Sequence, residues 1–477
     1  MKIIGRKKEI EQLEKIYDSH KNEFVAITGR RRVGKTYLVS QLFENRITFY
    51  HVGISPNKLK EDEKRRKIDV QLEAFYASLL IRGYKNNKRP KNWFEAFSML
   101  IDFLESKKDE ERILIFIDEL PWLDTPKSNF ISAFEWFWNI YGANKSSLML
   151  ITCGSSTSWM LNKVINSHEG LYDRITYSIH LSPFTLGECE QFFNEKGYHL
   201  SKYMIATVYM VLGGIPYYLN YYQPTQSINQ TIDELFFKGG KLSLEYDNLF
   251  ESSFDKEKLT RRIVEFLADR KKGYTRKQLV ESLDISDGDD VGSVLKALIN
   301  SDFIREYTPY GESKKNKYYK VIDSFCLFYI HNVKNNTSID KNPFNDDASS
   351  KWIGSAFENI CAYHLDTIKN KLGINGIKTL QFSLFVEPDE ENRGAQIDLL
   401  IERKDKTIHL IEMKFYDKEF SVDKSYHLNL MNKIDRVKSL SKNRSTIYLN
   451  LVTTFGLSKN EYFGDFVECI TLDDLFM

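Results

Sequence analysis

The stretch FVAITGRRRVGKTYLVSQLFE, residues 24–44, decides the fold of the N-terminal part of this 477-residue chain. Its first five residues are apolar or β-branched and predict a buried strand of a parallel sheet. Gly29–Thr36 then fits the pattern G-x-x-x-x-G-K-[ST], and a helical pattern begins at Tyr37. A strand, a glycine loop and a helix in this order predict a phosphate-binding loop.

The chemistry of such a loop explains its spacing. Glycines let backbone N–H groups converge on phosphates, and the N-terminus of the next helix adds positive potential. We expect Lys35 to reach the β- and γ-phosphates of ATP and Thr36 to ligate Mg²⁺. The residues expected to contact the nucleotide are Gly29, Arg32, Val33, Gly34, Lys35, Thr36 and Tyr37.

An acidic pair closes a second apolar strand, ILIFIDE, residues 113–119. Ligands bind at the carboxyl ends of parallel strands, so the pair is placed at the expected site. We expect Asp118 to hold Mg²⁺ through its water shell and Glu119 to polarise the attacking water.

Three further residues are candidates for sensing the γ-phosphate or completing the site. The strand Leu148–Ser156 ends in polar residues, where Thr152 and Ser155 are sensor candidates, although serines at strand ends are often turn formers. Arg174 either acts as an arginine finger on the nucleotide of a neighbouring subunit in a homo-oligomer, or is a solvated loop charge.

Together these motifs resemble the archaeal-type, STAND-like subgroup of AAA+ P-loop ATPases. The resemblance covers residues 1 to about 240 and includes IIGRKKEIEQL at Ile3–Leu13 and GGIP at Gly213–Pro216. It implies an α/β core with a parallel sheet over residues 1–185 and a helical lid over residues 186–255.

The same resemblance assigns two more groups to the nucleotide. Ile4, Gly5 and Arg6 are expected near the adenine base. Pro216 belongs to the element that closes the lid over the nucleotide in place of a sensor-2 arginine.

The middle of the chain, residues 256–333, predicts a winged helix. Three short helical patterns are followed by two strand patterns around a basic, glycine-containing tip. Such a domain either contacts the phosphates of nucleic acid, of DNA more than of RNA, or has only the structural role of packing domains together. Asp289 and Asp290 begin the third helix and offer little base-reading chemistry.

The C-terminal part, residues 350–477, carries a possible metal constellation. A helix presents Glu358, and a predicted hairpin carries Asp398 on its first strand and Glu412 and Lys414 on its second. Residues two apart on a strand share a face. Asp398 and Glu412 suit Mg²⁺ or Mn²⁺, Glu358 would add a third carboxylate, and Lys414 would help to activate water.

This constellation resembles the PD-(D/E)XK nuclease superfamily, which implies an α/β restriction-endonuclease-like fold. Gln396 is a further candidate for its pocket. The alternative is a surface hairpin with ordinary alternating charge. We therefore expect either an ATPase that regulates a metal-dependent nuclease acting on nucleic acid, or a STAND-like switch or scaffold with a silent nuclease fold and protein partners.

Composition sets the remaining expectations. Net charge is +1, so contact with nucleic acid must come from a local basic patch. The five cysteines show no CxxC spacing and no zinc pattern, which favours a reducing compartment. No apolar run reaches the ~18 residues of a membrane span. We expect a cytoplasmic chain with no membrane partner. Over Lys58–Lys67 we expect a solvated helix, with a nucleic-acid-binding loop as the alternative.

Overall fold

The computed structural model describes residues 3–55, 67–107, 111–165, 171, 174–237, 239–254, 256–313, 315–338, 343–344, 350–387, 394–442 and 444–477. The chain divides into two compact units, Met1–Pro183 with Asp247–Glu257, and Phe184–Tyr246 with Lys258–Met477. Within the described ranges no helix is both long and apolar enough to cross a membrane.

The first unit is built on a parallel five-stranded sheet. Its strands are β1 Glu23–Thr28, β2 Phe49–Val52, β3 Ile113–Asp118, β4 Leu148–Cys153 and β5 Tyr177–His180. They lie in the order β2-β3-β4-β1-β5, and every neighbouring pair is parallel. β1, β3 and β4 are buried over their full length, as their apolar runs require. The predicted α/β class with a parallel sheet is confirmed.

The helices of this unit are α1 Lys7–Tyr17, α2 Lys35–Leu42, α3 Lys67–Ile81, α4 Trp93–Glu105, α5 Phe130–Phe137 and α6 Thr157–Trp159. A 3-10 turn, Leu120–Leu123, and two π-helical turns, Trp138–Gly142 and Met160–Ile165, complete it.

Aromatic side chains fasten these helices to one face of the sheet. Phe97 on α4 stacks against Phe137 on α5 at 5.3 Å between ring centroids, and Phe24 on β1 meets Phe134 edge to face at 5.7 Å. These pairs belong to one buried core with the apolar strand residues. Of the helix expected over Lys58–Lys67, only Lys67 is described, as the first residue of α3.

The second unit opens with the helices α7 Leu186–Glu195, α8 Lys202–Leu212, α9 Pro216–Leu219 and α10 Ile228–Phe236, and α11 Glu245–Ser253 runs across the division between the units. α8 is buried from Ile205 to Leu212 without interruption, so it needs cover on all sides. At its start, Tyr203 stacks on Phe415 with 5.2 Å between ring centroids. Most of the segment expected to be a separate lid therefore belongs to the same unit as the C-terminal part of the chain.

Next come α12 Glu257–Ala268, β6 Tyr274–Thr275, α13 Arg276–Leu283, α14 Asp289–Asn300, β7 Ile304–Tyr307 and β8 Tyr318–Val321. The strands form an antiparallel sheet in the order β6-β8-β7. Gly273 enters β6 with φ 69°, and a Cβ at this position would lie 1.9 Å from the Tyr319 carbonyl oxygen. Only glycine allows β6 to approach β8 this closely.

The C-terminal elements are α15 Ser324–Phe328, a π-helical turn Tyr329–Val333, α16 Ser350–Tyr363, α17 Leu365–Lys371, β9 Thr379–Val386, β10 Ala395–Arg403, β11 Thr407–Lys414, α18 Lys424–Leu440, β12 Thr446–Thr453, a 3-10 turn Phe463–Asp465, β13 Glu468–Thr471 and a 3-10 turn Leu472–Phe476. The sheet order is β13-β12-β11-β10-β9, with β9, β10 and β11 antiparallel and β11, β12 and β13 parallel.

The hairpin expected from sequence is β10 and β11, in which Leu399 faces Ile411. The single helix expected from residue 351 onward is interrupted at His364, which lies between α16 and α17. Nδ1 of His364 contacts the Ile360 carbonyl at 2.7 Å, and Nε2 accepts a hydrogen bond from the Leu186 amide at 2.9 Å. The imidazole of His364 is therefore buried with a partner at each ring nitrogen, at the point where the helix is interrupted.

Candidate functional site

The loop between β1 and α2 has the backbone of a phosphate cradle. Gly29 has φ 137°, Arg32 69° and Gly34 99°. A Cβ at Gly29 would lie 2.3 Å from the Leu181 carbonyl oxygen, so the loop packs directly against the chain after β5. A Cβ at Gly34 would meet no described atom within 4 Å, which leaves open space above the loop at the start of α2. This geometry fits a nucleotide phosphate.

Lys35 is buried and lies across this loop. Its Nζ donates to the carbonyls of Gly29 at 2.8 Å and Arg30 at 3.2 Å. Burial lowers the pKa of Lys35, while the charges of Glu119 and Asp118 act in the opposite direction. A desolvated ammonium beside an open cradle is well placed to pair with phosphate oxygens.

Thr36 and Asp118 meet although 82 positions separate them. The Thr36 hydroxyl donates to Asp118 Oδ2 at 2.6 Å, and Asp118 Oδ1 accepts from the Glu119 amide at 2.9 Å. Asp118 is buried at the end of β3. A hydroxyl and a carboxylate are hard oxygen ligands, so this pair fits Mg²⁺.

Glu119 is held by Ser155, a partnership that the sequence pattern did not indicate. Glu119 has φ 49°, and its Oε2 accepts from the Ser155 amide at 2.9 Å and the Ser155 hydroxyl at 2.8 Å. Burial raises the pKa of Glu119, and the nearby Lys35 charge and the Ser155 bonds act against that rise. Ser155 contacts the acidic residue, which is the geometry of a positioning residue for Glu119.

Thr152 is fully buried on β4, in register with Ala26 on β1 and Ile117 on β3. Its hydroxyl has no hydrogen-bond partner within the part of the chain that the structure describes. A buried hydroxyl without a partner is costly, so a ligand atom would satisfy it. This leaves Thr152 as the sensor candidate of the two.

The other residues predicted to contact the nucleotide differ in burial and location. Arg6 is buried after Ile4 and Gly5 and donates from Nη2 to the Val33 carbonyl at 3.3 Å, which joins the N-terminal segment to the loop. Tyr37 is 42% exposed. Arg174 is exposed in the turn before β5. Pro216 belongs to the second unit, where it begins α9, and its role toward a nucleotide stays a prediction.

In the second unit, Glu358 on α16 and Asp398 on β10 form a buried carboxylate pair. The Lys271 ammonium makes ion pairs with both, at 3.2 Å to Asp398 Oδ1, and Lys320 Nζ lies 3.5 Å from Glu358 Oε2. Burial and the Asp398 charge raise the pKa of Glu358. Burial opposes ionisation of Asp398 too, but the Lys271 charge holds the pKa of Asp398 below its usual value. Gln396 lines the same cleft.

Glu412 has different partners from this pair. Both of its oxygens accept from Lys433 Nζ at 2.8 Å, and the Tyr426 hydroxyl donates to Oε2 at 3.0 Å. Lys414 Nζ lies 5.2 Å from the centroid of the Tyr426 ring. Asp398 Oδ2 accepts from the Met413 amide at 3.4 Å, which ties it to β11.

These contacts divide the expected metal constellation into two groups, Glu358 with Asp398 and Glu412 with Lys433. Across the described ranges, no three His, Cys, Asp or Glu side chains lie close enough to hold one ion. Lysines pair with these carboxylates instead, Lys271 and Lys320 at Glu358–Asp398 and Lys433 at Glu412. The sequence did not indicate that these three lysines pair with the carboxylates, because each comes from a separate segment and the pairing has no local pattern.

The first unit's sheet, its glycine loop and the Thr36–Asp118 pair define a P-loop nucleotide-binding protein. Residues 3–222 match the family model of an ATPase domain predominantly from Archaea. Residues 3–222 are therefore similar to archaeal-type ATPase domains.

Two curated relatives come from Methanocaldococcus jannaschii. One uncharacterized protein is 28% identical over 439 residues, which cover 89% of this chain and 90% of the relative. An uncharacterized ATP-binding protein is 42% identical over 44 residues, 9% of this chain and 75% of the relative.

Among solved structures, the Walker-type ATPase paby2304 of Pyrococcus abyssi is similar at 18% identity and TM-score 0.49, covering 69% of this chain and 96% of its own. The ORC2 protein of Aeropyrum pernix, solved with ADPNP and ADP, is similar at 12% identity and TM-score 0.40, covering 69% and 93%.

Proposed function

We propose that this ATPase controls a metal-dependent nuclease site in its own C-terminal part, and that the substrate is DNA. The observation that carries the proposal is the buried Glu358–Asp398 pair in a lysine-lined cleft of the second unit. Burying a carboxylate costs free energy unless a cation compensates its charge. Acidic side chains with shifted pKa values in a cleft mark functional sites. The strand beside them carries Glu412 and Lys414.

In the ATPase part, we assign roles from the contacts. Lys35 binds the β- and γ-phosphates in place of its carbonyl partners, and Thr36 with Asp118 holds Mg²⁺. Bound ATP with its ion supplies the phosphoryl group that is transferred to water. Glu119 orients that water and accepts its proton, and Thr152 hydrogen-bonds the γ-phosphate.

In the nuclease part, Asp398 and Glu358 are the proposed ligands of a divalent cation. They are the closest carboxylates in the cleft, held by the same ammonium. Such an ion, when bound, polarises a phosphodiester and lowers the pKa of a water. Lys414, whose charge helps to keep Asp398 ionised, is the proposed group that positions this water. Glu412 supports the strand through Lys433.

Positive charge around this cleft supports a nucleic-acid substrate. Lys271, Lys272 and Lys320 line it together with Asp398. All three come from the predicted winged helix, so phosphates on that domain would lie next to the carboxylates.

The test is a cleavage assay on supercoiled plasmid DNA with Mg²⁺ or Mn²⁺, with and without ATP. We expect the wild type to nick the plasmid and Asp398→Asn to lose nicking while it hydrolyses ATP at the wild-type rate. Lys35→Ala should abolish both ATP turnover and the effect of ATP on nicking. Asp405→Asn, the same change in the exposed turn of the same hairpin, is the matched control and should nick normally.

Nicking by Asp398→Asn at the wild-type rate would refute the assignment of this carboxylate. A single-stranded RNA substrate in a parallel reaction tests the choice of DNA.

The second candidate is a nucleotide switch with protein partners and a silent nuclease fold. The ion pairs favour it, because every carboxylate of the expected constellation is already neutralised by a lysine. This reading predicts ATP-dependent association of chains, no nicking under any condition, and no Mn²⁺ bound to the nucleotide-free chain.

A further inference from the structure

We propose that Lys271 is an internal counter-ion that occupies the cation position of the Glu358–Asp398 pair, so that a divalent cation binds only when Lys271 withdraws. This inference rests on the proposed metal site and adds a means by which that site is kept inactive. The Lys271 ammonium is the group that contacts both carboxylates, as a shared metal ion would.

The charge balance shows why the two cations exclude each other. Glu358 and Asp398 supply at most two negative charges, and their side chains are 5% and 6% exposed. Lys271 and Lys320 supply two positive charges at contact distance, and Arg305 on β7 adds a third that interacts with Glu358. The carboxylates are already neutralised, so a divalent ion beside these ammonium groups would be repelled rather than attracted.

The position of Lys271 allows withdrawal. It lies in the turn between α12 and β6, which the Gly273 amide closes by donating to the Arg270 carbonyl at 2.7 Å. Its side chain is 35% exposed, far more than its two partners. A four-carbon side chain that is still reached by solvent can swing outward without unwinding α12.

The neighbouring cations show that insertion is specific to Lys271. Lys272 pairs with Glu387 at 3.1 Å and lies 3.7 Å from the centroid of the Phe385 ring. Arg270 also pairs with Glu387, at 3.7 Å. Glu387 is 65% exposed, so these outer pairs contribute little to holding the turn in place. Of these three cations, Lys271 is the one that pairs with Glu358 and Asp398.

The experiment is a calorimetric titration of Mn²⁺ into the nucleotide-free full chain. We expect Lys271→Met to bind Mn²⁺ at least about ten-fold more tightly than the wild type, because the competing charge is gone. Lys277→Met, at an exposed position on α13 and paired at 3.8 Å with Glu281, is the matched control and should bind as the wild type does. Adding Asp398→Asn to Lys271→Met should remove the gain, which separates this site from any ion at Asp118.

Thermal unfolding gives a second readout that a purely structural ion pair would not produce. Lys271→Met leaves two buried carboxylates with less compensation and should unfold at a lower temperature. Mn²⁺ should restore that temperature in Lys271→Met but not in the variant that also carries Asp398→Asn. If the methionine variant does not fold, Lys271→Gln keeps a polar side chain without the charge.

Two other outcomes are informative in different ways. Equal Mn²⁺ affinity in wild type and Lys271→Met, lost on Asp398→Asn, would overturn the counter-ion role and leave the proposed nuclease site standing. No Mn²⁺ binding by any variant would overturn the metal site itself, and the counter-ion role with it.

Discussion

Replacing Ser155 by alanine tests whether this serine positions Glu119, the proposed general base of ATP hydrolysis. The change removes a 2.8 Å hydrogen bond from the Ser155 hydroxyl to Glu119 Oε2 and leaves the 2.9 Å bond from the backbone amide. A hydrogen bond to a charged group contributes about 1.5–3 kcal/mol. If roughly half of this is expressed in the transition state, kcat for ATP hydrolysis falls by about three- to twelve-fold. KM should change little, because Ser155 contacts Glu119 and not the nucleotide.

The pH profile separates positioning from a general loss of structure. Burial already raises the pKa of Glu119, and the Ser155 hydroxyl is one of the groups that oppose the rise. Without it the pKa of Glu119 increases further. Glu119 must be ionised to accept a proton, so the acid limb of kcat should move to higher pH in Ser155→Ala.

The assay is steady-state ATP hydrolysis between pH 6 and 9, with nucleotide affinity measured separately. Ser156→Ala, the adjacent serine, is the matched control and should keep the wild-type profile. An unchanged kcat and acid limb in Ser155→Ala, or a rise in KM alone, would refute the positioning role.

Two further predictions concern the first unit. Burial lowers the pKa of His51 to about 3, against about 6.5 in the unfolded chain. The stability from the neutral ring is therefore complete above pH ~6.5 and lost as pH falls toward 3. The free energy of unfolding, measured with urea, should fall by about 2 kcal/mol between pH 7.5 and pH 5 in the wild type. It should not fall in this way in His51→Gln. Tryptophan fluorescence reports this, because five of the six tryptophans lie in that unit. Gly29→Ala places Cβ 2.3 Å from the Leu181 carbonyl at φ 137°, and should weaken ATP binding by about ten-fold or more in an equilibrium titration.

The nucleotide site could be predicted because its parts are local patterns joined by a simple rule of topology. Thr36 lies at the start of α2, which follows β1, and Asp118 ends β3. Both therefore lie at the carboxyl edge of the parallel sheet, and their meeting follows from the topology rather than from contact details. Ser155 could not be assigned in this way. Its bond to Glu119 depends on the left-handed backbone of Glu119 and on the path of the chain after β4, neither of which has a periodic signal.

The division of the chain was harder to predict for a related reason. The segment YMIATVYMVLGG is apolar on every face, and this pattern indicates a helix that is covered on all sides. The pattern does not say what covers it. In the structure Tyr203 meets Phe415, more than 200 positions later, and the Leu186 amide reaches His364. Contacts at such separation follow from the folded core and not from a local motif.

Both carboxylate sites carry their counter-charge within the protein, and the same physical chemistry explains both. Buried acids must be compensated, and a lysine can do this without a ligand. At the ATPase site Lys35 interacts with Glu119 and Asp118 from a loop shaped for phosphate. When a phosphate of ATP pairs with Lys35, Glu119 and Asp118 would lose this counter-charge. The Mg²⁺ that accompanies ATP would then replace it. Lys271 stands in the same relation to Glu358 and Asp398. A nucleic-acid phosphate and a divalent ion can replace it together at lower cost than either ligand alone, because each satisfies the charge that the other leaves exposed.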